Sequence, residues 1–591
     1  MRLGMRKLTN KQLAGTSVLV LALVIVGLFL YMRAGQAAGL KPPVTDVIIT
    51  PLTSGENVTQ ATISHAGTIF AYSEYDGEDS RLIVQAVNGS SRADILSKFT
   101  GKIENLSFTP DDKELYFDVS GSSRGNGLYR VSAGGGAPVK ILDGPTSPVS
   151  FSADGSEMVF VRSSPSGNGH AQIVRASVDG SKETVLFESK DGQRISPYAV
   201  LSHSGNFVIF GSIALGYPTL CSLTKLDVAD RTTVPLNDER WDSCYRIALN
   251  RDDNGIAFVA TRHNDAFSTR RDQVYYLDFA TLESQRLTSD GNWHEPASMG
   301  ITDAGEIIAL PLTRISQLWR VNPDGNPLSA EQITLGQADG RSGIVPTGDG
   351  KVAFLGRDGD GYAIFETGAN GEGRRRLFGA PTMQELRSDP DGTFFVFAEQ
   401  KDDLTQLFRA DRSGGEARQL TFGNSSKIDS TVSPDGKWIV YSDTAFDGEK
   451  VRYSLQRIPA DGGPPDILST EACEVPHYSH DGRYISCSSD DRIRIVSASD
   501  GALVREIVPE MPFVSNSGAR WSPDDGYLVY RVIKNAATNL WRQSISGGQP
   551  EQLTAFPKGD LYNFAYGPDG KKLFLSRGTQ IRNAILIKGF H

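Results

Sequence analysis

The feature that most constrains this chain is a turn-and-strand unit that returns along nearly all of its length. "VSPDGKWIVYSDT" (432–444), "FSADGSEMVFVRSS" (151–164), "YSHDGRYISCSSDD" (478–491), "WSPDDGYLVYRV" (521–532) and "YGPDGKKLFLSRG" (566–578) are five of its copies. In the first, Ser433 opens a turn and can bond its own backbone two residues on. Pro434 presets the backbone, Asp435 tolerates the third position and Gly436 takes the fourth. The run that follows, Trp438-Ile439-Val440-Tyr441, is apolar without alternation, the pattern of a strand buried on both faces. Each copy therefore reads as a hairpin whose second strand lies between two other layers.

The copies can be counted. The turn glycine or its equivalent falls at Gly67, Asp112, Gly155, Gly205, Gly255, Gly305, Gly350, Gly392, Gly436, Gly482, Gly526 and Gly570, twelve units spaced by 42 to 50 residues. A period of about 40–45 residues with several short strands per unit is the signature of propeller blades. "LYRVSAGGGAPVKIL" (128–142), "LFRADRSGGEARQLT" (407–421) and "LWRQSISGGQPEQLT" (540–554) supply two further strands per unit. No segment after residue 45 shows a helical period. The fold class is all-β, and since one ring holds about 4–8 blades, two tandem six-bladed propellers are predicted, 46–328 and 329–591. The strand "VIITPL" would complete the sixth blade and "EQITLG" (331–336) the twelfth, removing an exposed edge from each ring. A seven-plus-five division fits the same count.

The "SPDGKWIVYS" repeat with "QLT" strands between copies resembles the WD40-like repeat of TolB-type propellers, from residue 46 onward. Within that group the chain looks most like the extracytoplasmic propeller region of bacterial receptor-type Ser/Thr kinases and winged-helix regulators. "ITPLTSGENVTQATIS" and "FAYGPDGKKLFLSRGTQIRNAILIKGF" carry that closer likeness. The resemblance implies a transmembrane helix before the propeller. It also implies a cytoplasmic kinase or DNA-binding domain, for which this chain has no phosphate loop, H-R-D or D-F-G element.

Leu13 to Met32 is twenty residues without a charge, long enough at about 1.5 Å per residue to span a bilayer core. Arg2, Arg6, Lys7 and Lys11 precede it, so residues 1–12 are read as a cytoplasmic tail, 13–32 as the helix and 33–45 as a linker. That predicts a single-pass protein of the bacterial inner membrane with periplasmic propellers. A cleaved signal peptide is the competing reading, since "GQAAG" offers small residues to a peptidase. Past residue 33 the chain carries 55 basic and 70 acidic residues, a balance of −15 that repels phosphate backbones, so no nucleic-acid partner is expected. The lone basic knot, "GEGRRRLFG" (371–379), reads as a guard on an outer strand edge.

Cysteines fall two per predicted ring, Cys221 with Cys244 and Cys473 with Cys487, the latter pair flanking the turn "SHDG". In an oxidising compartment disulfides are plausible, and free buried thiols are the alternative. Neither a zinc spacing nor a complete calcium loop is present ("RDGDGYAIFE", 357–366, begins like one, but Ala369 stands where the terminal Glu would chelate), and no metal or cofactor is expected. "GSSRG" (121–125) matches a nucleophile motif but joins two strands of a hairpin. What remains is binding of a protein or peptide partner in the cell envelope. The residues before each turn strand are expected at the channel mouth: Glu104, Asn105, Trp241, Asp242, Trp293, His294 and Glu295 in the first ring, and Glu385, Asp429, Glu474, His477, Arg520 and Tyr562 in the second. The Trp residues have a second reading, packing between blades. Two other functions stay open, the sensing subunit of a split kinase or regulator system and a propeller-type hydrolase or lyase using the channel-mouth acids.

Overall fold

In a computed structural model the repeated units fold as antiparallel meanders of four strands. The structure describes residues 47–590 apart from 55–57, 123–124, 145–146, 166–169, 215–218, 264–270, 290–291, 360, 402–403, 414, 447–450, 490, 516–517 and 535–536. The predicted tail, membrane helix and linker lie outside the described residues. Among the described residues there is no α-helix, and none long and apolar enough to cross a membrane.

The turn is closed by side chain as well as backbone. In the unit at 432–444 the Gly436 N–H donates to the Ser433 carbonyl (2.9 Å), with Gly436 at φ 70°. The Ser433 hydroxyl accepts from the Trp438 N–H (2.9 Å) and donates to Asp435 (2.6 Å). The serine thus reaches five residues on rather than two, fastening the turn to the strand it launches. Along that strand Ile439, Val440 and Tyr441 are fully buried. Ile439 and Tyr441 pack with Phe394 and Val396 of the meander before, and Val440 packs with Ile485 and Cys487 of the meander after. Each such side chain contributes about 1.5–3 kcal/mol of transfer free energy, and both contacts are needed to collect it.

Eight sheets are simple four-stranded meanders. A ninth joins two meanders, Gln193–Pro235 and Trp241–Arg286, through the single pairing of Cys221 with Trp241. The tenth is composite. Its Ile307–Val321 strand is 15 residues long and serves two meanders. Ile307 to Ala309 pair with Ile587 to Ile585, and Ile48–Pro51 lies beyond as the outer strand. Leu312 to Val321 pair instead with Arg582 to Leu573, and Glu331–Gln332 is the outer strand there. The boundary drawn at 328 is therefore not a sheet boundary. Residues 585–588 pair with the first set of meanders, and residues 312–321 with the second. Nothing in the sequence marks that exchange, because the long strand crosses without a turn.

The first strands of successive meanders pack on one another, and each set returns to its start. Val58–Ile63 packs on Trp293–Ile301, where the Ala61 N–H donates to the Ser298 hydroxyl (2.6 Å). Ile344–Pro346 packs on Asp560–Tyr566, beside the Ser576 hydroxyl donating to the Asp339 carbonyl (2.8 Å). Faces stacked this way around a common axis are a β-propeller.

Neighbouring turns are clasped at three places. The N–H groups of His65 and Ala66 donate to Asp112 (2.7 and 3.0 Å), those of His203 and Ser204 to Asp253 (2.8 and 2.9 Å), and those of His480 and Asp481 to Asp525 (2.9 Å each). Each histidine Nδ1 lies 2.8–3.1 Å from the same carboxylate. The three aspartates adopt left-handed backbone, φ 60°, 54° and 54°. In two of these units this moves the left-handed position from the glycines at 255 and 526 to Asp253 and Asp525. Aspartate accepts that conformation at modest cost and repays it with the clasp.

Both cysteine pairs are disulfides, Cys221–Cys244 and Cys473–Cys487. The first ties two adjacent meanders, beside the one residue pair that joins their sheets. The second closes a separation of 14 residues within one hairpin, with a Cα–Cα distance of 5.1 Å.

Two outcomes are expected. Burial alone would raise the Asp253 carboxyl, but the Ser204 and His203 N–H groups more than offset it and hold it below the ordinary value. A depressed carboxyl stabilises the fold above the unfolded pKa and loses that contribution as pH falls through the folded one. Asp253→Gly should therefore lower stability at pH 7 by about 1–2 kcal/mol and flatten the acid limb below about pH 4, read by urea titrations across pH. Removing the second disulfide with Cys473→Ser and Cys487→Ser together should cost about 3 kcal/mol, measured as the shift in denaturation midpoint against the same chain with both bridges intact.

Candidate functional site

The first strand of a meander precedes its turn, and in most meanders it is bulged. Its pairing register shifts between Glu104 and Ser107, His294 and Met299, Gln384 and Arg387, Ile428 and Thr431, Glu474 and His477, and Leu561 and Asn563. An extra residue in one strand re-aims the side chains around it. Asn105, Glu385, Asp429 and Val475 take left-handed backbone at these bulges, φ 51–57°.

In the second set the bulges frame a cavity of about 490 Å3. Four of the residues singled out from sequence, Glu385, Asp429, Arg520 and Tyr562, line it together. Four arginines outside that reading join them, Arg314, Arg341, Arg387 and Arg531, making five with Arg520. They come from distant strands, and no spacing in the sequence relates them. Asp560 completes the charged lining.

The acids there are largely occupied. The Glu385 carboxylate accepts the N–H groups of Asp429 (2.8 Å) and Ser430 (3.1 Å). Burial, then the charge of Glu385, pushes the Asp429 carboxyl well up. Tyr562 donates to Asp560 (3.4 Å), and burial raises its phenol, keeping it a neutral donor.

The guanidinium groups lean on neutral acceptors. Arg520 donates to the Asn563 side-chain oxygen (2.7 Å) and to the Phe564 carbonyl, and lies 5.0 Å over the Phe564 ring. Arg531 donates to the Leu561 carbonyl and Arg387 to the Leu386 carbonyl, each at 2.9 Å. Burial, then the neighbouring Arg387 and Arg531 charges, drags Arg520 well below the usual guanidinium range. Arg531 is pulled down to about 10 by burial, against the pull of Asp560 and Tyr562. Burial, then Arg341, lowers Arg314, whose group lies 6.0 Å over the Trp293 ring.

Other residues expected at the mouth are placed otherwise. Trp241 is 0% exposed, edge-on to Phe258 and Tyr275 under the Arg262 guanidinium, so it packs the core rather than a ligand. His294 is 1% exposed and His477 8%, the latter accepting the Trp521 indole N–H on its carbonyl. In all three the bulge turns the side chain inward between sheets. Glu104 pairs with Lys102 (2.5 Å), Asn105 holds the buried Asp118 (2.9 Å), and Asp242 meets His263 (2.7 Å). Glu295 pairs with Arg582 (3.1 Å), bridging the two sets of meanders. Glu474 opens its strand close enough for its charge to act on Asp429.

The first set has a smaller cavity of about 300 Å3 on the turn side, lined by His65, His203, Arg251 and Asp303 among others. Its one buried arginine, Arg246, is held by the Leu106 carbonyl (2.9 Å) and the Ser107 hydroxyl (3.2 Å). The basic knot is spent in ion pairs: Arg374 with Asp339, Arg375 with Glu366 and Arg376 with Asp358.

No family model matches the chain. The uncharacterized protein Atu1656 of Agrobacterium fabrum is 25% identical over 210 residues, 35% of this chain and 68% of that protein. Similar solved structures include TolB from Acinetobacter baumannii (14% identity, TM-score 0.19, covering 81% of this chain and 82% of that one). The β-propeller domain of the Trilobed protease from Pyrococcus furiosus is another (12%, 0.29, 62% and 98%), as is the tricorn protease (12%, 0.30, 89% and 60%). TolB and protease propellers thus stand among the structures the chain resembles, while its propeller architecture rests on its own strand pairing.

Proposed function

We propose that the chain is a membrane-anchored, extracytoplasmic pair of six-bladed propellers that binds a protein or peptide of the bacterial envelope without chemistry of its own. The observation that carries the binding reading is the 490 Å3 cavity framed by bulged first strands. Its size falls in the range of pre-formed ligand sites, about 300–1,000 Å3, and Glu385, Arg387, Arg520 and Arg531 in its lining are held by backbone contacts. The six-plus-six count is supported by the return of each set of first strands to its start. Placement outside the cytoplasm is supported by the two disulfides and by the uncharged run at 13–32 behind four basic residues. Rigid display is the proposed mechanism: the sheets fix the cavity, and the anchor keeps it near the membrane.

One observation favours a second reading. Burial and the Glu385 charge push the Asp429 carboxyl well up, the direction a general acid requires. A hydrolase or lyase acting at this cavity would lose turnover in Asp429→Asn, whereas a binding site would keep its ligand.

The binding reading is tested in the native cell with the full chain carrying a photo-cross-linking amino acid at Tyr562 or, as a control, at the exposed outer-strand residue Val139. A discrete, saturable adduct through position 562 and not 139 is the expected result. Equal labelling from both, or none from 562, would overturn it.

A further inference from the structure

The cavity of the second set is a positive pocket in an acidic protein. We propose that it recognises a carboxylate, presented by the end or a side chain of a peptide, through the Arg387, Arg520 and Arg341 guanidinium groups. This rests on the reading of the cavity as a binding site.

Charge comes first. Five arginines line the cavity against Glu385, Asp429 and Asp560. Both Glu385 oxygens already take backbone N–H groups. Five arginines therefore face three carboxyl groups, in a chain whose body carries a formal −15. Among the described residues Arg314, Arg341, Arg387 and Arg520 form no ion pair. Elsewhere in the same set arginines are paired closely, as Arg412 is with Glu366 and Asp349.

The partners of these arginines are also informative. Carbonyl and amide oxygens orient a guanidinium but do not neutralise it. Burying a charge without a counter-ion costs several kcal/mol, and here three of the groups push against one another. An incoming anion would relieve that repulsion and so be bound more strongly than on an open surface. The planar fork of arginine matches a carboxylate through two parallel bonds.

The walls argue for a peptide. Between the charged groups stand Val475, Val514, Ile533, Leu561 and Phe564, apolar surface for aliphatic side chains next to the carboxylate. The sources of that carboxylate, a chain terminus or an Asp or Glu side chain, differ only in where the backbone runs.

The test uses three fluorescein-labelled probes on the full chain, read by anisotropy: Gly-Ala-Val-Ala with a free terminus, the same peptide amidated, and amidated Gly-Ala-Glu-Ala. At least tenfold tighter binding of either acid than of the amide, lost in Arg387→Gln and in Arg341→Gln, is the expected result. The acid that wins identifies the source. Circular dichroism checks that each variant folds, and two variants are used so that one misfolded protein does not decide the matter. Equal binding of acid and amide, binding of none, or a preference that survives both substitutions would overturn the inference. An adduct through Tyr562 without an acid preference would sink this inference alone and leave the binding reading standing.

Discussion

Everything in this fold follows from strands that are apolar on both faces. Ile439, Val440 and Tyr441 send alternate side chains into two different cores, and the same holds along Val159-Phe160-Val161 and Leu115-Tyr116-Phe117. A sheet built on such a strand has no face to offer to water. It needs a neighbour on each side, and that neighbour needs one as well. A finite chain meets this demand only by returning to its beginning. The packing of Val58–Ile63 on Trp293–Ile301 and of Ile344–Pro346 on Asp560–Tyr566 is that return.

The same constraint explains what the sequence revealed. The turn and the apolar run are local, repeated in every unit, and set by residue type, so the repeat, the all-β class and the outer strands at Ile48 and Glu331 could be read directly. The exchange along Ile307–Val321 could not, because strand pairing between residues about 270 apart leaves no local mark. The channel residues were legible only in part. Position before the turn picked out Glu385, Asp429, Arg520 and Tyr562, which line one cavity, and also Trp241, His294 and His477, which are buried. Arg314, Arg387 and Arg531 were missed because arginine within a strand ordinarily means a wet face. The clasp aspartates do leave a mark in the sequence: each "SH-x-G" turn is answered one unit later by a "DD" pair.

The two sets of meanders share a frame and differ in what they place at its centre. In the first, Arg246 is fixed by a carbonyl and a hydroxyl, and Asp118 is held by Asn105. In the second, several guanidinium groups gather around a space with little negative charge to meet them. One framework, repeated with different residues at the bulges, can thus be closed in one place and receptive in another. The outer edge is treated differently again. The three arginines of the basic knot lie on or beside an outer strand, and each has its own carboxylate.

The pairing of Ile48 with Lys588 and of Ile307 with Ile587 has a consequence for how the molecule is made. On a ribosome Ile48–Pro51 and Ile307–Ala309 emerge long before residues 585–588, so the place between them waits as a gap. Leu312–Val321 waits in the same way for Leu573–Arg582. Neither set can finish while the other is incomplete, and a chain interrupted late leaves open edges in both. A chain that lacked residues 573–588 would leave Ile48–Pro51 and Ile307–Val321 without these partners, unpaired edges of the kind that invite pairing with other chains.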